Sequence, residues 1–171
     1  MDVVVTDYKE NWNQMFKDES QKIKDIFGHE LIDIHHIGST SVQGLKAKPV
    51  IDLMPVVREI ENIDLFSEQM EELGYEPLGE FGIKGRRYFR KGVDTRTHHV
   101  HVFQFDNTED INRHLAFRDY LREHFEDANL YGRLKNRLAQ QFPNDIASYV
   151  DGKDAFIKEL EKKALHWYEG R

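Results

Sequence analysis

An α/β (α+β) architecture, a mixed sheet backed by helices with a helical C-terminal part, is the fold class this sequence predicts. Three observations carry it. Short apolar runs near 31–37, 50–57 and 97–105 read as strands, helix-period segments lie between them, and helical spacing alone follows position 111. A chain of 171 residues can bury a proper core, and no internal repeat, low-complexity tract or long linker divides it. A single domain over 1–171 is therefore expected.

Taken in order, residues 7–27 place Trp12, Phe16, Ser20, Ile23 and Phe27 at helical spacing, with Gly28 where a left-handed terminating residue is favoured. Residues 31–37 form a strand that ends at the small-residue turn Gly38, Ser39 and Thr40. Pro49 marks entry to the strand at 50–57, whose nearly continuous apolar character predicts burial on both faces. Asp64 stands where it would cap a helix running to Leu73, with Leu65, Phe66, Met70 and Leu73 inward and Gly74 ending it. Residues 75–80 and 86–91 read as an antiparallel pair around the glycine-rich link 79–85, a candidate flap. The next strand, 97–105, is THHVHVFQF. Helices follow over 111–125, along a Leu130, Leu134 and Leu138 stripe that Pro143 breaks, and over 154–167 with Ile157, Leu160, Ala164 and Trp167 on one side.

Charge narrows the ligand class. A net charge of −7 argues against a long nucleic acid or an anionic membrane as partner. No run approaches the roughly 20 apolar residues of a bilayer span, and the start, with Asp2 and no basic stretch, does not read as a signal peptide. The absence of cysteine removes disulfides and thiolate metal sites and suits a reducing cytoplasm, the expected location. Within this acidic chain Lys84, Arg86, Arg87, Arg90, Lys91 and Arg96 crowd one short segment, a pattern that points to a small anionic ligand.

Four groups of residues are candidates for chemistry. The Gly38, Ser39 and Thr40 turn offers close backbone approach, N–H groups and two hydroxyls to an anion; as a tripeptide alone it is equally an ordinary strand-to-helix turn. Asp52 interrupts an apolar strand, and a charge there requires a partner, such as Lys48, or a function. His99 and His101 share one strand face. With Asp52 they would form a two-histidine, one-carboxylate metal set, or they could sit satisfied in a core or donate to phosphate. Arg86, Tyr88 and Arg90 share a face opposite Arg87, Phe89 and Lys91, either as forks for phosphate or as the charges of a solvated edge strand. Only one of the adjacent His35 and His36 can face the Asp52 side.

Together, HIGST at 36–40 with GL at 44–45, KP at 48–49 and IDL at 51–53, then GRRYFRK, RTHHVHV and RHLAFRDYLR, resemble the GrpB family along nearly the whole chain. That family is similar to polymerase-β-type nucleotidyltransferases, which carry a Gly-Ser turn and then Asp-x-Asp/Glu on the next strand. The resemblance implies a nucleotidyltransferase-like mixed sheet, with Gly38 and Ser39 as the turn and Asp52 as the first acid. It also exposes departures: Met54 stands at the second acid position, His99 and His101 at what looks like the third, and Gln43 where the family has proline. Two Mg²⁺ held by carboxylates do not suit such a set; a softer divalent metal with imidazole ligands, or no metal at all, does.

The expectation is a protein that binds a nucleotide or other phosphorylated small molecule. Gly38, Ser39, Thr40, Lys48, Arg86 and Arg87 would hold the ligand, and Asp52, His99 and His101 would line the reacting end, with either a divalent metal or the histidines themselves offsetting developing charge. Nucleotidyl or phosphoryl transfer is the implied reaction. A non-catalytic nucleotide-sensing or protein-interaction module is the alternative, favoured by Met54.

Overall fold

The computed structural model describes residues 2–171. Two compact units divide it: a sheet unit of Asn11–Ile37 and Val50–Ile111, and a helical unit of Met1–Glu10, Gly38–Pro49 and Asn112–Arg171.

In the sheet unit, α1 (Asn11–Phe27) packs against β1 (Leu31–Ile37) and β2 (Ile51–Val57). A 3-10 segment at Ile60–Phe66 and the short α2 (Ser67–Glu72) lead to β3 (Tyr75–Pro77), β4 (Arg86–Lys91) and β5 (His98–Gln104). The strand order is β1-β2-β5-β4-β3, with β2 parallel to β5 and the other pairs antiparallel. Register decides the faces, because directly paired residues project to the same side. Asp52 pairs with His99 and with Ile37, Tyr88 with His101, and Arg90 with both His99 and Glu76. These residues therefore share one face. The opposite face carries His36, Leu53, His98, Val100 and Phe89, and α1 covers it: Phe16 stacks on His36 with ring centroids 4.8 Å apart.

Behind that face lies a buried ionic hub. Glu19 of α1, 4% exposed, accepts hydrogen bonds from Tyr75 Oη and Lys91 Nζ, both at 3.0 Å, and His98 Nε2 stands 3.9 Å away. The hub ties α1 to β3, β4 and β5 together.

Two expectations are corrected here. Asp64 caps no helix: the chain makes a 3-10 turn first, Asp64 pairs with Arg87, and Leu65 is 78% exposed instead of buried. On α1 the seam residue is Glu19, while Ser20 is only half-buried.

The helical unit contains most of α3 (Thr108–Glu123), followed by α4 (Phe125–Gln141) and α5 (Ile146–Glu169). Its main core gathers Val42, Leu45, Ala116, Leu121, Tyr131 and Leu160, and a smaller one joins Val3, Leu138 and Tyr149. Asp145 caps α5 by accepting from the Ser148 N–H at 3.1 Å. The Leu130–Leu134–Leu138 stripe is not the buried face of α4. The buried positions are Ala128, Tyr131, Gly132, Lys135 and Leu138, and Leu130 is 50% exposed. Steps of four residues drift about 40° each around a helix of 3.6 residues per turn, so Leu130 lies about 80° from Leu138, on the opposite side of it from Ala128 and Tyr131. Among the described residues no helix is long and apolar enough to cross a membrane.

Candidate functional site

The site builds from β2, β5 and β4 on the face away from α1. Period-2 alternation and the β2–β5 pairing set Asp52 beside His99, with His101 two residues on. Asp52 Oδ1 lies 3.1 Å from His101 Nε2 and 3.5 Å from His99 Nδ1. One donor atom from each of Asp52, His99 and His101 lies within 4.8 Å of the other two. The convergence expected from spacing is what the fold produces.

Burial alone would push the Asp52 carboxyl up. Hydrogen bonds from His101 and His99, and the charge those rings carry when protonated, outweigh it and hold the group well below the usual carboxylate range. Asp52 is thus an anion at neutral pH. The Tyr88 hydroxyl moves the other way: burial raises its pKa and the nearby Asp52 charge adds to the rise.

Arg86 and Tyr88 close the next layer. Arg86, only 6% exposed, lies over the Tyr88 ring at 4.5 Å and places Nη1 3.3 Å from His101 Nδ1. Its Nε donates to Glu80 O at 3.2 Å and its Nη2 to Phe81 O at 2.9 Å. One guanidinium therefore joins the imidazole to the glycine-rich link. Phe81 stacks on Tyr88 at 5.3 Å, and the Arg90 guanidinium sits 5.7 Å from the Phe81 ring. Phe81 holds φ at 47°, a left-handed conformation that strains a bulky residue and that clusters at functional sites.

Other expected residues have different settings. Arg87 turns to the α1 side and donates to both Asp64 oxygens, at 2.7 and 3.3 Å, whereas Arg86 faces the Asp52 side. His36 likewise faces α1, while His35 shares the Asp52 face, with its Nε2 3.5 Å from Asp33 Oδ2. Met54 shares the Asp52 face and is fully buried, so the second acid position is sealed with a thioether. Gly38, Ser39, Thr40 and Lys48 lie in the helical unit. There Gly38, at φ 73° and ψ −174°, takes a conformation that glycine alone adopts readily, and Ser39–Ser41 form one 3-10 turn without a side-chain cap. Arg122 of α3 clamps that turn by donating to Ser41 O at 2.8 and 3.0 Å.

Spacing did not reveal the Arg86–His101 contact or the Phe81–Tyr88 stack. Phe81 comes from the irregular link, and its position follows from where Arg86 holds the backbone carbonyls.

The five-stranded mixed sheet and its helices define the class: the fold is nucleotidyltransferase-like. Cid1 bound to the UTP analogue UMPNPP matches 78% of this chain and 42% of its own with a TM-score of 0.51 at 13% identity. Cid1 poly(U) polymerase bound to MgGTP covers 78% and 44% with a TM-score of 0.53 at 14% identity. At such identity the likeness concerns the fold alone.

Within that class, the chain belongs to the GrpB family, whose model, described as GrpB protein, matches residues 2–163. The crystal structure of conserved protein GrpB from Enterococcus faecalis is 53% identical with a TM-score of 0.94, over 96% of this chain and 99% of that one. The UPF0157 protein YqkA of Bacillus subtilis is 51% identical over 96% of this chain, which spans only 48% of that relative's length. Glutamate-rich protein GrpB of Alkalihalophilus pseudofirmus is 34% identical over 93% of this chain and 94% of its own.

Proposed function

We propose that the sheet unit binds a divalent metal ion through Asp52, His99 and His101, and beside it a nucleotide or other phosphorylated small molecule, in a reducing cytoplasm. The convergence of one carboxylate and two imidazoles to within 4.8 Å is the observation that carries this reading. The donor set selects the ion. One oxygen and two nitrogens do not make the oxygen cage that Mg²⁺ demands, and Met54 removes the next carboxylate. Zinc and other first-row ions accept imidazole and leave coordination positions open in such a three-ligand arrangement. A metal so held supplies Lewis-acid polarisation of a phosphoryl oxygen.

The chain's own groups do the rest. Asp52 stays ionised between the two rings and orients both. Arg86 and Arg90 provide guanidinium charge on the Asp52 face of the sheet. His99, with a quarter of its side chain exposed, is the more accessible of the two imidazole ligands, and nucleotidyl or phosphoryl transfer there would draw on the metal and the guanidinium groups to offset developing charge.

A specific observation also favours a second reading. The buried Met54 leaves the second-acid function unfilled, as befits a non-catalytic, nucleotide-sensing descendant of a transferase. Thermal shift of the purified chain with zinc, manganese, magnesium and a nucleotide panel tests binding; a ligand at 100 times its Kd adds about 2.7 kcal/mol of stability. Transfer or hydrolysis of labelled nucleotide then selects the enzyme, and binding without turnover selects the sensor.

A further inference from the structure

We infer that Arg86 opposes metal loading at His101 and is released by it, so that a bound metal frees an anion-binding guanidinium. The inference rests on the metal reading above and concerns its regulation.

Donors and acceptors around His101 fix its tautomer. Arginine has only N–H donors, so the ring nitrogen that faces Arg86 Nη1 at 3.3 Å, His101 Nδ1, must accept. In a neutral ring the hydrogen then sits on Nε2, where it points at Asp52 Oδ1 3.1 Å away. Asp52 and Arg86 thus select one tautomer between them. A metal that joins Asp52 and His99 must take the Nε2 lone pair, which moves the ring hydrogen to Nδ1 with no net loss from the ring. Nδ1–H and the Arg86 Nη1–H would then be two donors facing each other. Metal-bound histidines ordinarily present that second N–H to a carboxylate or carbonyl, so this guanidinium is the wrong partner for the loaded ring.

Arg86 must then withdraw from His101. Arg86 also donates to the carbonyls of Glu80 and Phe81, both in the glycine-rich link, so its movement bears on that link. A displaced guanidinium beside a metal is a fork for phosphate oxygens. By linkage, each ligand tightens the other.

Long-range ¹H–¹⁵N spectra of the labelled chain, with and without zinc, read the tautomer directly. The hydrogen is expected on His101 Nε2 without metal and on Nδ1 after zinc is added. A metal-free ring with its hydrogen on Nδ1 overturns the inference. Calorimetry with zinc alone supplies the second arm. Arg86→Met removes the opposing donor, so zinc should bind roughly tenfold tighter than to the native chain, the equivalent of one hydrogen bond. Inorganic phosphate should then enhance zinc binding less than it does in the native chain. Equal or weaker zinc binding by a folded Arg86→Met chain refutes the inference while leaving the metal site intact. Zinc binding that Asp52→Ala does not abolish refutes the metal reading itself, and the inference with it.

Discussion

Asp52 shows how one residue acquires a role from its neighbours. In an isolated strand it would be an expensive intrusion; between two imidazoles it becomes a pivot. Asp52→Ala should abolish zinc-dependent stabilisation with little change in the metal-free fold, read by thermal shift and elemental analysis. Lys135 is the contrasting case. Its Nζ is buried with no hydrogen-bond partner, 4.2 Å from the Tyr131 ring centroid, and burial, with Lys153 nearby, drives its pKa well below the ordinary lysine value. A depressed lysine contributes stability that is complete above its unfolded value of 10.5 and is lost as pH falls towards the folded one. Lys135→Met should therefore raise stability at neutral pH by roughly 1–3 kcal/mol and flatten the rise of stability with alkaline pH, as denaturant titrations across pH would record.

Elements of this fold are joined by groups that hydrophobic patterning does not show. The Glu19 hub is the main example. Glu19→Ala strands Tyr75, Lys91 and His98, and unfolding free energy should fall by roughly 3–5 kcal/mol, the cost of breaking a buried pair. Burial also lowers the His98 pKa, so stability due to its neutral form is complete above the unfolded value near 6.5 and declines as pH drops below it; His98→Gln should flatten that limb. At the turn after β4, a Cβ on Gly92 would lie 2.0 Å from Thr95 O at φ 108°. Gly92→Ala should accordingly cost roughly 2–3 kcal/mol or more in chemical denaturation. Much of this was legible in the sequence. The strand Leu31–Ile37, the β4 bounds and the shared face of His99 and His101 follow from period-2 alternation, while the side on which Asp52 meets them depends on the β2–β5 pairing. Glu19 and Lys135 left a trace that apolar counting overlooks: Trp12, Phe16, Glu19, Ile23 and Phe27 step by four and three along one seam, as do Ala128, Tyr131, Lys135 and Leu138. The opposed roles of Arg86 and Arg87 required the position of Asp64, which no local rule supplies.

At the scale of the whole molecule, a nucleotidyltransferase-like fold in the GrpB family carries an imidazole-rich centre where its class is expected to hold carboxylates. An acidic chain with net charge −7 sets Arg86 and Arg90 on the same face as that centre. Isothermal titration of the purified chain with zinc and, separately, with magnesium tests the centre most directly. The account predicts one zinc per chain, lost in Asp52→Ala and in His101→Ala, with magnesium bound far more weakly. Magnesium binding as tight as zinc, or zinc binding indifferent to both substitutions, would contradict it.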